Sequence, residues 1–320
     1  MNKSESHIWY DGELVPWAAA TTHVLTHSLH YGVAVFEGVR AYATETGAAL
    51  FRLAEHTRRL LASAKLYGLH IPYDEAALME AQCAAVRANG LEAGYVRAIA
   101  FYGAEKLGVS PHGARVHVAV AAFPWQAYLG PEAHERGVRV KTSSYTRAPA
   151  RAGLPRAKVS ALYANSMLAH EEARQDGYDE ALLLDGAGMV AEGAGENIFI
   201  VKGGCLYEPE PTSAFYGITR DVVHALARER GWTVQSRPML RDDVYLADEA
   251  FFCGTAAEIT PIVELDRKPI SNRRPGPLTV QLMKAYRDLT AYRVPEYHHW
   301  LTHVEAKAVN SRGPTSAAGR

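Results

Sequence analysis

A chain of 320 residues is long enough to bury a large core and suits two domains better than one. Its 48% hydrophobic and 22% charged residues are ordinary for a globular protein, and a formal net charge of -1 excludes a global field that would draw it to nucleic acid or an anionic membrane. Cys83, Cys205 and Cys253 are too scattered for a disulfide framework or a zinc site, and no apolar run spans a bilayer or marks a secretion signal, so a cytoplasmic setting is expected.

In chain order, His7–Tyr10 and Glu13–Pro16 flank Asp11-Gly12, a hairpin signature. Residues Leu53–Tyr67 predict an amphipathic helix, and Asp74–Asn89 a second one closed by Gly90. Tyr95–Tyr102 and Val116–Phe123 read as buried strands. Residues 124–131 bracket aromatics with two prolines and a glycine, which predicts a connection between domains. The expected division is an N-terminal α+β domain over 1–124, a linker over 125–137 and a C-terminal domain over 138–308. The small polar tail, 309–320, is expected to be disordered. In the second domain Val138–Ser143, Glu180–Leu184, Asn197–Val201 and Glu249–Cys253 predict strands. Ala161–Gln175 and Ile218–Arg230 predict helices, the latter stopped by Gly231.

Among nine lysines, Lys158 stands apart, between a proline turn and an apolar helix. Apolar surroundings make a lysine a better nucleophile, which suits covalent capture of a carbonyl. A helix-entry lysine with its head in water satisfies the same context. Residues 191–197 set small residues between Glu192 and Glu196, where a ligand can approach the backbone and a carboxylate can meet a cationic ring nitrogen. A tight turn with solvated acids is the plain alternative. Gly217-Ile218-Thr219-Arg220 opens a helix, and Cys253-Gly254-Thr255-Ala256-Ala257 follows a strand. Either offers free N–H groups to an anion, and Arg59 is a candidate bidentate partner or a solvated helix arginine. His23, His27 and His30 have helical spacing but no nearby carboxylate, so no metal site is expected. Arg40 and Arg97 sit in apolar strand-like runs and call for an anionic partner, either an internal Glu37 or Glu92 or a substrate carboxylate.

Taken together, His27–Gly32, Val35–Arg40, Tyr95–Arg97, Ala121–Trp125, Glu192–Asn197, Gly217–Arg220 and Gly254–Pro261 resemble the branched-chain aminotransferase family of class IV pyridoxal-phosphate enzymes. The resemblance runs from about His7 to about Val304. It implies an α/β (α+β) fold of type IV, two domains with pyridoxal 5'-phosphate between them, and a homodimer or larger homo-oligomer. It also implies transamination of Leu, Ile and Val with 2-oxoglutarate. By the same resemblance Lys158 carries the cofactor, Glu192 pairs with its ring nitrogen and Tyr163 lies near its phenolic oxygen. Arg59, Ile218, Thr219, Thr255 and Ala256 hold the phosphate. Tyr31, Phe36, Arg40, Tyr95, Arg97, Val109, Trp125, Tyr128 and Ala257 form the substrate pocket, some of them across a dimer interface. Departures at Leu162, Ala98 and Ala214–Tyr216 bear on substrate choice. An unusual amino acid, or a D-amino acid, is the alternative substrate.

Overall fold

The protein is described by a computed structural model covering residues 5–125, 128–130, 132–210 and 214–304. Its first part forms β1 (His7–Tyr10), β2 (Glu13–Pro16), α1 (His27–Tyr31), β3 (Ala34–Thr44), β4 (Gly47–Phe51), α2 (Leu53–Leu66), α3 (Glu75–Ala88), β5 (Gly94–Tyr102) and β6 (Val116–Phe123). There follow α4 (Ala133–Arg136), β7 (Val138–Thr142), α5 (Ser160–Gln175), β8 (Glu180–Leu184), β9 (Val190–Gly193), β10 (Asn197–Lys202) and β11 (Cys205–Pro209). The chain ends with α6 (Ile218–Glu229), β12 (Val234–Arg237), α7 (Arg241–Tyr245), β13 (Glu249–Gly254), β14 (Glu258–Leu265), β15 (Lys268–Pro269), α8 (Pro277–Thr290) and β16 (Leu301–His303). The tail expected to be disordered lies outside the described residues, as do residues 126, 127 and 131 of the expected connection.

Local chemistry explains the boundaries. Asp11 and Gly12 have φ of 48° and 108°, the left-handed pair that a tight hairpin turn needs. The Asp74 carboxylate accepts from the Ala77 N–H at 2.8 Å and so starts α3. α2 turns Leu53, Leu60 and Ala64 inward, together with the polar His56, Thr57 and Ser63.

The architecture is α+β, built on two sheets. The first runs β16-β4-β3-β5-β6-β1-β2 and is antiparallel throughout. α2 and α3 cover one face, where Leu53, Leu60, Leu78 and Val86 pack on Val39, Val96, Val118 and Val120. The second, nine-stranded sheet is mixed, with the path β12-β11-β10-β13-β14-β7-β8-β9 and β15 on β14. Its core joins Ile198, Ile200, Phe252 and Ile262 on one side to Phe199, Phe251 and the apolar faces of α6 and α8 on the other. The sheets meet where the segment entering α5 reaches β3: Val35 makes an isolated bridge to Val159, and the Phe36 N–H donates to Lys158 O at 3.0 Å. β16 closes the fold by pairing with β4.

Candidate active site

Between the sheets lies a cavity of about 260 Å³. Lys158 stands in its wall. The Lys158 N–H donates to Ser63 Oγ at 3.0 Å, which fixes its backbone between α2 and β3. Its Nζ donates to Tyr163 Oη at 2.5 Å and lies 5.1 Å from the Phe36 ring centre and 5.3 Å from that of Phe215. The amine is thus aimed by one hydroxyl among three aromatic faces.

Two buried carboxyls, Glu192 and Glu196, line the same cavity. Glu192 is at the end of β9, where it pairs with the Arg147 guanidinium and accepts from the Phe215 N–H at 2.8 Å. Burial nevertheless pushes its proton affinity above the ordinary glutamate value, because desolvation outweighs Arg147. Glu196 is pushed up much further, by burial and then by the neighbouring Glu180 charge. Burial is thus not fully compensated at either carboxyl, and a cationic ligand atom beside them is favoured.

The opposite end is built for an anion. Among the described residues no side chain bonds at the Gly217 cap of α6, and the first N–H groups of the helix have no partner among them at the cavity wall. A Cβ at Gly217 would fall 2.1 Å from Asn197 Oδ1, and the Asn197 amide in turn donates to Phe215 O at 2.7 Å. The turn Gly254-Thr255-Ala256 joins β13 to β14 beside it. Arg59 completes the group from α2. It spends three of its five N–H bonds on Glu37 (2.5 and 3.0 Å) and Tyr216 O (2.9 Å), leaving two. Burial alone would raise the Glu37 carboxyl, but Arg59 and His56 more than offset it and hold it well below the usual carboxylate range.

Lys158, Arg59, Tyr163, Glu192, Ile218, Thr219, Thr255 and Ala256 all line this one cavity. Of the substrate set, Phe36, Tyr95, Arg97 and Tyr128 line it too. Arg97 lies over Phe36 (4.8 Å) and Tyr95 (5.4 Å), and its buried Nε has no hydrogen-bond partner among the described residues. Glu37 is not its counterion, because alternation along β3 turns Glu37 toward α2. The other five lie elsewhere. Trp125 stacks behind Tyr95 at 4.9 Å, Arg40 pairs with Glu258 at 3.3 Å, and Ala257 O accepts from His134. Tyr31 is 37% and Val109 84% exposed. His27 and His30 donate to the backbone oxygens of Gly108 and Val24.

The model of the family described as Amino-transferase class IV matches residues 34–265. The chain belongs to the class IV aminotransferases. It is 52% identical over 298 residues to a branched-chain-amino-acid aminotransferase of Pseudomonas aeruginosa, covering 93% of this chain and 97% of that one. It is 42% identical over 304 residues to the enzyme of that name from Escherichia coli K12, with 94% and 98% covered. The solved T.th. branched-chain amino acid aminotransferase, complexed with N-(5'-phosphopyridoxyl)-L-glutamate, superposes with a TM-score of 0.91 at 45% identity, covering 94% of this chain and 99% of that one.

A phosphopyridoxyl group fits what this class IV aminotransferase offers. Lys158 suits its aldehyde carbon and Glu192 its ring nitrogen, while Arg59 and the N–H groups of residues 218, 219, 255 and 256 suit its phosphate. Several contributors escaped sequence reasoning. Arg147 lies in an irregular loop with no periodic signal, and His56 reads as one more position on an amphipathic helix. Glu196 was visible as an acid but not as a buried one.

Proposed function

We propose that this chain is a pyridoxal-phosphate-dependent transaminase that exchanges amino groups between Leu, Ile or Val and 2-oxoglutarate, giving the 2-oxo acid and L-glutamate. The observation that carries the reading is Arg97, unpaired among the described residues, set in an aromatic cavity shared with Lys158. Bound there, the cofactor supplies an aldehyde and an electron-accepting ring. Glu192 holds a proton on the ring nitrogen, and the cup around Arg59 and α6 fixes the phosphate. Lys158 Nζ, oriented by Tyr163 Oη, is placed to move the proton from the substrate's α-carbon to the cofactor's C4′ carbon within one half-reaction and to move it in the reverse sense on the opposite leg. Phe36, Tyr95 and Tyr128 exclude water from an aliphatic side chain. Arg97 receives the side-chain carboxylate of glutamate in the same space. One site serves two substrates in turn, so the kinetics are ping-pong.

The test is Arg97→Leu. Loss of a desolvated charged hydrogen bond of about 3 kcal/mol lowers kcat/KM for glutamate about 100-fold. The leucine half-reaction, followed in a single turnover, stays within a few-fold. Undiminished activity with glutamate would refute the reading.

The same reading makes a second copy of the chain part of the site. Val24, Leu29 and Val109 are 75%, 65% and 84% exposed, and the His27–Gly108 bond ties α1 to the segment that carries Val109. Tyr31 and Val109 of such a copy are the expected additions to the cavity. Sedimentation showing a monomer at assay concentrations would remove this element. A cytoplasmic location goes with it, supported by the three free cysteines.

A further inference from the structure

Behind the phosphate cup lies a chain of three side chains that the proposed reaction does not use. Glu37 on β3 and His56 on α2 are both 1% exposed. His56 Nδ1 is 2.7 Å from Glu37 Oε2. His56 Nε2 is 3.5 Å from Thr255 Oγ1, at the outer edge of hydrogen-bond distance. The carboxylate is ionised, so the Nδ1 hydrogen points to it and the Nε2 lone pair faces the hydroxyl. The order carboxylate–imidazole–hydroxyl therefore connects a buried acid to the turn that faces the anion site. No protein group other than Thr255 reaches Nε2 in the hydrogen bonds of the described residues.

The charged groups facing His56 are Glu37 from β3, Arg59 from its own helix and Lys158 from the segment before α5. Burial, Arg59 and Lys158 favour the neutral ring, and Glu37 opposes them. An arriving phosphate dianion alters this balance. It adds negative charge beside Thr255 and claims the hydroxyl hydrogen, so Nε2 loses its donor. A proton from solvent on Nε2 restores a complete chain: Nδ1–H to Glu37, Nε2–H to Thr255 Oγ1, and Oγ1–H to a phosphate oxygen.

We propose that His56 is a positioning residue for the cofactor phosphate, acting through the Thr255 hydroxyl, and that it takes up a proton from solvent when the dianion fills the cup. The proposal rests on the cofactor reading above. His56 sets which way the Thr255 hydroxyl points, and proton uptake matches the charge of the cup to that of its ligand. Cofactor affinity is thereby linked to pH through a protein group rather than only through the cofactor's own ionisations.

The experiment uses the full-length cofactor-free protein and pyridoxamine 5'-phosphate, which binds without a covalent bond to Lys158. Calorimetry in buffers of different ionisation enthalpy counts the protons taken up on binding at about pH 7.5–8.5. His56→Asn keeps an amide donor for Glu37 but cannot titrate, and the ligand's own ionisations cancel in the comparison. Wild type is expected to take up roughly 0.5–1 proton more than His56→Asn, and its affinity to fall with rising pH up to about tenfold per unit more steeply. Thr255→Val leaves the Glu37–His56–Arg59 contacts in place, lowers affinity about tenfold and reduces the uptake. It serves if His56→Asn does not fold. Nitrogen NMR of His56 is expected to move from a neutral ring to imidazolium on binding. Equal proton counts in wild type and a folded variant, or a neutral ring in the complex, would overturn the proposal while leaving the cofactor reading intact. Failure of wild type to bind the ligand at all would overturn both.

Discussion

Gly38→Ala tests how the substrate cavity is built. Gly38 and Arg97 face each other across β3 and β5, and Arg40 faces Tyr95, so the Tyr95 side chain lies diagonally across Gly38. A Cβ on Gly38 would stand 1.7 Å from Tyr95 Oη, 2.3 Å from Cζ and 2.8 Å from Cε1. Ordinary contact begins at 3.4 Å, so the hydroxyl end must retreat by about 1.7 Å. It has little room, since Tyr95 is 6% exposed and stacks on Trp125 at 4.9 Å. Overpacking of this kind costs about 1–3 kcal/mol of stability. A displacement above about 1 Å in a lining group lowers kcat/KM about 100-fold. The backbone is not the cause, because Gly38 has no positive φ and alanine is no worse than glycine in a strand. The assay pairs thermal midpoints with kcat/KM for leucine and glutamate, and Gly186→Ala, whose Cβ meets nothing within 4 Å, is the neutral control. A double-mutant cycle with Tyr95→Ala is expected to be strongly non-additive, since both changes remove the same ring from the same place. Wild-type stability and kinetics in Gly38→Ala would refute the steric argument.

Arg147→Met leaves Glu192 buried without its guanidinium and costs about 3–5 kcal/mol. Removing Arg147 raises the folded-state affinity of Glu192 for a proton still further, so that loss grows as pH rises above the wild-type folded value, which itself lies above the unfolded glutamate value of about 4.3. Urea midpoints at about pH 5 and pH 8 check this, and a larger loss at the lower pH would contradict it. Glu37 has the opposite sign: its depressed folded value contributes stability that is complete above about pH 4.3 and is lost as pH falls through the folded value. Glu37→Gln is therefore expected to flatten the acid limb of the stability curve, read by denaturant titration below about pH 4.3. Gly217→Ala drives a Cβ to 2.1 Å from Asn197 Oδ1 and disturbs the bond to Phe215 O, which sits beside the Glu192 contact. A loss of about 1.4 kcal/mol weakens cofactor binding about tenfold, measured by spectral titration.

Much of the secondary structure was legible because periodicity and turn chemistry are local. The Asp11-Gly12 hairpin, the helix ahead of Gly90 and the strands Glu180–Leu184 and Val116–Phe123 follow from neighbouring residues alone. Lys158, Glu192 and the two N–H clusters stood out as ligand-like residues, yet each had a commonplace alternative. The resemblance to a known family joined them, and the cavity places all of them on one wall or another.

What the sequence determined by itself is the composition of each element and the supply of an amine, acids and arginines at fixed points along the chain. Only the tertiary structure decided which charges meet. Glu37 went to Arg59 and His56 because strand alternation sends it to the α2 side, and Arg97 found no anionic partner among the described residues because Phe36 and Tyr95 face it instead. Arg147 reached Glu192 from a distant loop, with no periodicity to announce it. Proton affinities followed from that packing, since desolvation and the distance between charges belong to the fold and not to the order of residues.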